Sequence, residues 1–154
     1  MAMFEIFRRT NRLKKQGFKT KISSAEDIYN RYVDYLQQKK KEHFYAVFLN
    51  TKNHIIDDNL VSKGTLNASL IHPREVFKHA IQASANAIIL VHNHPSGDQS
   101  PSKEDEVVTK NLVNAGVLLG ITVLDHIIIG ENSYFSFADE GLMGAYRAVA
   151  IREL

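Results

Sequence analysis

Two histidines one residue apart, His92 and His94, close a strongly apolar run over residues 87–94, and a loop containing Pro95, Gly97 and Pro101 follows them. The run has the composition of a strand buried on both faces. Side chains two apart on a strand point to the same side, so both imidazoles project together while Asn93 points away. Two nitrogens so placed can reach one metal ion at about 2.0–2.1 Å. Pro95 favours extended backbone at His94 and so keeps the pair aligned. The plainer reading is two satisfied core histidines, but alternate positions ahead of a Pro/Gly loop fit ligands better.

A third donor has to return from beyond the loop. Asp105 falls in the first turn of the next predicted helix, where a carboxylate also meets the positive end of the helix dipole. Two His and one carboxylate leave a fourth zinc position for water, as catalytic sites do. Zinc lowers the pKa of such a water from about 15.7 toward about 7. Ser102-x-x-Asp105 also reads as a plain helix cap, the serine accepting a backbone N–H and the acid reaching back. Such boxes prefer Glu or Gln, and Asp reaches less far. A capping serine keeps its O–H free to donate, so capping and chemistry can coexist at Ser102.

Several elements must position these groups. Ser23-Ser24-Ala25-Glu26 has the form of a capping box and predicts a helix start. Ile28, Tyr32 and Leu36, flanked by Tyr29 and Val33, give that helix an apolar stripe, and it runs out in Lys39-Lys40-Lys41. Residues 44–49 read as a strand opened by Glu42, and a turn at 50–53 joins it to a second strand over 54–61. Residues 64–71 predict a further extended piece, and Pro73 suits the start of a helix bearing Val76, Phe77, Ala80, Ile81 and Ala83. A helix over 102–114 and strands over 121–129 and 133–137 follow. A last helix over 138–152 has Asp139 and Glu140 in its first turn and Arg147 and Arg152 late. The sum is an α/β fold: one domain over 23–154, with a mixed β-sheet and flanking helices, behind a basic N-terminal arm over 1–22.

Composition narrows the chemistry. The chain has 154 residues, 44% hydrophobic and 23% charged, which suits one soluble domain. It has no cysteine, which removes disulfides, thiolate zinc ligands and a cysteine nucleophile together. The net charge of +2 divides unevenly. Residues 1–22 hold seven basic residues against Glu5, a charge of +6, and the remaining 12 basic and 16 acidic residues give −4. Such an arm could contact nucleic acid, although a solvated terminus is the simpler reading. No run approaches the roughly 18 apolar residues of a membrane span. Basic residues follow rather than precede the opening apolar residues, the reverse of a secretory signal, so a cytoplasmic protein is expected.

The spacing His-x-His, seven residues, Ser, two residues, Asp, at His92, His94, Ser102 and Asp105, resembles the JAMM (MPN-type) metalloprotease motif. Glu42 stands upstream where that family puts its acid. The wider text is similar to the bacterial RadC family at Gly64-Thr65-Leu66-Asn67, His72-Pro73-Arg74-Glu75-Val76-Phe77, Leu124-Asp125-His126 and Ser136-Phe137-Ala138-Asp139-Glu140-Gly141. The resemblance covers about residues 20–142. It implies a cytidine-deaminase-like, JAB/MPN architecture and a Zn2+ site made by His92, His94 and Asp105. It implies Glu42 as general base and then acid, and Ser102 as a donor to the oxyanion. The expected activity is zinc-dependent hydrolysis of a peptide or isopeptide bond in an unidentified substrate.

Two other readings stand beside it. One is a DNA-associated repair role; longer RadC relatives carry a helix-hairpin-helix module ahead of this domain, where this chain has only its basic arm, and that weakens the expectation. The other is a non-catalytic MPN-like scaffold, which the full motif disfavours. His43, His54, His72 and His79 lack partner spacing and read as surface or structural. Asp125-His126 can form a pair that orients a ligand, but an ordinary strand position is the favoured reading. Asp98 reads as a loop acid, and His92-Asn93-His94 is not an HNH nuclease signature, whose letters name scattered residues. Tyr146, Val149 and Ile151 give the last helix apolar surface that either caps the domain or joins two chains in a homodimer.

Overall fold

The computed structural model describes residues 20–154. The arm expected over 1–22 therefore lies outside the described residues up to position 19. Lys21 forms a bridge with His54, and Ile22 is buried with its N–H donating to the Asn53 carbonyl at 2.8 Å.

The elements in chain order are α1 (Ala25–Leu36), β1 (His43–Leu49), β2 (Ile55–Lys63), α2 (Pro73–Gln82), β3 (Ala87–Asn93), α3 (Lys103–Leu119), β4 (Thr122–Ile129), β5 (Tyr134–Ser136) and α4 (Leu142–Arg152). The strands make one mixed sheet in the order β2-β1-β3-β4-β5. β1 pairs antiparallel with β2 and β3, β3 runs parallel to β4 across the α3 connection, and β5 returns antiparallel. This is the α/β arrangement expected from the sequence, with helices on both faces.

Strand alternation sorts the core into two layers. Phe44, Ala46, Phe48, Ile88 and Leu90 face α2, α3 and α4, meeting Val76, Phe77, Val108, Leu112 and Met143. Tyr45, Val47, Leu49, Ile89 and Val91 face the opposite way, onto Ile28, Tyr32 and Leu36 of α1. Each fully buried side chain of this size contributes about 1.5–3 kcal/mol. β1 and β3 are buried along their whole length, so the end of β3 is a rigid place to mount a site.

Several boundaries differ from those expected. The N-cap of α1 is Ser24 rather than Ser23, with Asp27 completing the capping box. The Lys39–Lys41 run lies beyond that helix, in the loop that delivers Glu42. α3 continues to Leu119 and stops at Gly120, which takes φ 69° as its left-handed cap. Gly116 is buried inside α3, where a Cβ would meet the Ile121 carbonyl at 2.4 Å.

Residues 64–71 are not a strand. Their N–H groups at Leu66 and Ala68 go instead to the carboxylates of Glu42 and Glu104, at 2.8 and 2.7 Å. The last helix begins at Leu142 rather than 138. Ala138 N–H and the Ser136 hydroxyl donate to Asp125 at 2.9 and 2.6 Å, which holds that stretch as a turn. Met143 and Ala150 of α4 are buried, whereas Val149 and Ile151 are 50% and 60% exposed. Among the described residues no helix is long and apolar enough to cross a membrane.

Candidate metal centre

β3 ends at Asn93, but His94 N–H still donates to the Ile129 carbonyl at 2.9 Å, continuing the ladder by one residue. The strand period therefore holds through His94, and its ring stands 4.8 Å from that of His92 on one face. Asp105 comes to meet them from the first turn of α3. Its Oδ1 lies 3.2 Å from His92 Nε2 and its Oδ2 lies 3.1 Å from His94 Nε2. One donor atom from each of the three residues lies within 4.8 Å of the other two, a set that can hold a metal ion.

The surroundings make this a site for positive charge. His94 Nδ1 lies 2.7 Å from the Asp98 carbonyl, which can only accept, so that nitrogen carries the hydrogen. In the neutral ring Nε2 then turns a lone pair toward the Asp105 carboxylate. Burial alone would lower the His94 pKa, but its hydrogen bonds to Asp105 and Asp98 and the charges of Asp105 and Glu42 raise it above its ordinary value. Burial would raise the Asp105 pKa, but its contacts, the His94 ring and the Ser102 N–H among them, hold it far below the carboxylate range. His92 Nε2 is buried and, despite its proximity to Asp105, has no hydrogen-bond partner among the described residues. A buried nitrogen left unpaired is costly, and a metal would satisfy it.

Ser102 and Asp105 do form a complete capping box. Asp105 N–H donates to Ser102 Oγ at 3.1 Å, and Ser102 N–H donates to Asp105 Oδ2 at 2.7 Å. The expectation that Asp reaches too short for this role is corrected. Because the cap bond rotates Oδ2 toward the helix start, it also fixes the carboxylate against the two histidines. The cap and the approach to the two histidines are one arrangement here.

Glu42 directly precedes β1. Asn93, pointing away from the histidines as its alternation requires, accepts from His43 N–H at 2.7 Å and donates to the Lys41 carbonyl at 3.1 Å. One side chain thus pins both neighbours of Glu42. Its Oε2 accepts from Leu66 N–H at 2.8 Å. Lys40, Lys41, Lys63, Gly64, Thr65 and Pro95 join Glu42 around an open groove of about 620 Å³. His43 is buried and structural, its Nδ1 donating to the Lys41 carbonyl at 2.9 Å.

His126, expected at an ordinary strand position, stands directly behind His92. It is fully buried, with Nε2 at 2.8 Å from His92 Nδ1 and Nδ1 at 2.6 Å from Thr109 Oγ1. Its ring stacks on Phe137 at 5.0 Å and meets Phe44 edge-on at 5.5 Å. Burial pushes its pKa well down.

Asp125 does not orient this ring. Its carboxylate accepts from His126 N–H, Ser136 and Ala138, and burial raises its pKa despite them. Between the pairs Ile88–Val123 and Ile89–Asp125 the register shifts by one residue, so Leu124 is a bulge. The bulge re-aims everything after it, placing His126 beside Leu90 and on the face of His92. The pair Asp125-His126 is the sequence signal for this residue, but the side chain that meets its ring is Thr109 rather than Asp125.

The chain is similar to known proteins over most of its length. The family model of the RadC-like JAB domain matches residues 22–142. A UPF0758 protein of Methanosarcina mazei is 51% identical over 142 residues, which is 92% of this chain and 62% of that protein. One from Caldanaerobacter subterraneus subsp. tengcongensis is 53% identical over 129 residues, 84% of this chain and 55% of the relative. One from Staphylococcus haemolyticus is 54% identical over 123 residues, 80% of this chain and 54% of the relative. The chain thus spans less than two thirds of the length of these relatives.

Proposed function

The chain belongs to the family of RadC-like JAB domains, and from that premise we propose that it is a zinc-dependent hydrolase that cleaves a peptide or isopeptide bond. The observation that carries the reading is the convergence of His92 Nε2, His94 Nε2 and the Asp105 carboxylate, with the buried His92 Nε2 lacking a hydrogen-bond partner among the described residues. Two imidazoles and one carboxylate match the ligand chemistry of catalytic zinc, which keeps one position open. When bound, zinc lowers the pKa of water toward about 7 and polarises a carbonyl.

The protein supplies the rest. Glu42 is anchored through Oε2 by the Leu66 N–H, which leaves its other oxygen to take a proton from the attacking water and return it to the leaving amine. Ser102 accepts the Asp105 N–H and keeps its own O–H to donate to the oxyanion, a contribution of about 3 kcal/mol. The substrate chain approaches through the groove beside Glu42. The nucleic-acid contact expected of the basic arm falls largely on residues outside those described, and carries no part of this reading.

Protein purified without chelators should contain about one zinc per chain, as a site with one ligand set allows. His94→Ala should lose it. A wild-type chain that is folded, metal-free and unable to take up zinc would overturn the proposal.

A further inference from the structure

The three ligands do not explain why Thr109 and His126, two polar residues that are wholly buried, sit behind them. Thr109 Oγ1 lies 2.6 Å from the Asp105 backbone carbonyl and 2.6 Å from His126 Nδ1, and His126 Nε2 lies 2.8 Å from His92 Nδ1. Proton counting leaves one arrangement. A carbonyl only accepts, so the single Thr109 hydroxyl hydrogen goes to Asp105. Oγ1 must then accept from His126, which puts a hydrogen on Nδ1. The neutral His126 ring offers a lone pair at Nε2, so His92 must donate from Nδ1. That hydrogen sits at Nδ1, and Nε2, which makes no hydrogen bond to the Asp105 carboxylate, presents a lone pair to the site.

The alternatives fail on geometry. If His126 carried its hydrogen on Nε2, Thr109 would have to donate to Nδ1, leaving two bare oxygens at 2.6 Å. If both nitrogens of His126 were protonated, His92 would carry its hydrogen at Nε2 and point it at Asp105. That nitrogen makes no hydrogen bond although the carboxylate is 3.2 Å away.

We infer that Thr109 and His126 are positioning residues, forming a relay that starts at the Asp105 carbonyl and fixes His92 in the tautomer whose Nε2 is ready for metal. The relay closes on itself, since Asp105 anchors one end with its backbone and meets the other with its carboxylate. Thr109 is one helical turn after Asp105, so α3 supplies both from one face. The inference rests on the zinc reading for its purpose, but not for its hydrogen positions.

The test uses the full chain, metal-free and zinc-loaded. Long-range proton–nitrogen correlation of the metal-free wild type should show both His92 and His126 protonated at Nδ1. In Thr109→Val, which keeps the shape and deletes the oxygen, both should move to Nε2. Zinc affinity, measured by competition with a chelator, should fall 10- to 100-fold, the range for lost outer partners of a ligand. Thr109→Ser should restore both readings, which a purely structural threonine would not require.

A metal-free wild type with His92 protonated at Nε2 overturns the relay, as does Thr109→Val binding zinc as tightly as wild type. If Thr109→Val does not fold, the wild-type spectrum and Thr109→Ser decide alone. A wild type with the expected tautomers that takes up no zinc would refute the proposed function and leave the relay standing.

Discussion

His126 Nε2 meets His92 Nδ1 at 2.8 Å in the core, with the His126 ring lying between Phe44 and Phe137. The contact ties the innermost member of the histidine–aspartate cluster to β4, a strand from which no member of that cluster comes. It also makes His126 serve packing and site geometry together, and the two can be separated by experiment.

Replacing His126 with Ala should cost about 3 kcal/mol of stability, the usual price of emptying a buried aromatic-sized site. It also strips Thr109 and His92 of a partner. Urea denaturation of the metal-free protein measures this. A change within about 0.5 kcal/mol, typical of a surface site, would contradict the packing described.

Glu42→Gln separates binding from turnover. The amide oxygen can still accept the Leu66 N–H that the carboxylate accepts at 2.8 Å, so fold and zinc content should be unchanged. Loss of the proton acceptor should lower kcat by about 10²- to 10⁴-fold. Full activity in the variant would remove Glu42 from the reaction.

The metal-free protein should carry a pH signature of the empty ligand set. The His94 pKa is raised above 6.5 on folding, so its stabilisation is complete below 6.5 and lost as pH rises through the folded value. The Asp105 pKa is lowered below 3.8, so its stabilisation is present above 3.8 and lost as pH falls through the folded value. Together they favour the metal-free fold most between 3.8 and 6.5. Zinc must displace the His94 proton, so its affinity should weaken on acidification, beginning above pH 6.5. Chelator competition across pH checks this, and a flat profile would argue against His94 as a ligand.

Gly130→Ala should damage the site from a distance. A Cβ there would lie 2.4 Å from the Gly97 carbonyl, which accepts the Glu131 N–H at 2.8 Å and so pins the loop to the turn between β4 and β5. That loop carries the Asp98 carbonyl that sets His94. The expected effects are a stability loss of roughly 1–3 kcal/mol from overpacking and weaker zinc binding than wild type. Unchanged zinc affinity would mean the loop does not set His94.

The covalent chain by itself determined the parts of the site that depend on local geometry. His92 and His94 share a face because strand side chains repeat every two residues, whatever surrounds them. Asp105 follows by a fixed offset into a helix start, and the apolar runs of β1 and β3 gave the mixed α/β sheet its buried centre. Local rules were weaker wherever a distant group competed. The stretch at 64–71 gave its N–H groups to Glu42 and Glu104 rather than to a strand, and Asp125 held 138–141 out of the last helix.

Only the tertiary structure decided the second half of the centre. Thr109 is an unremarkable helix residue until α3 is laid against β4, and His126 faces His92 only because the Leu124 bulge shifts the register. The physical reason is reach. Periodicity places side chains within one element, whereas a hydrogen-bonded chain through α3, β4 and β3 depends on how three elements pack.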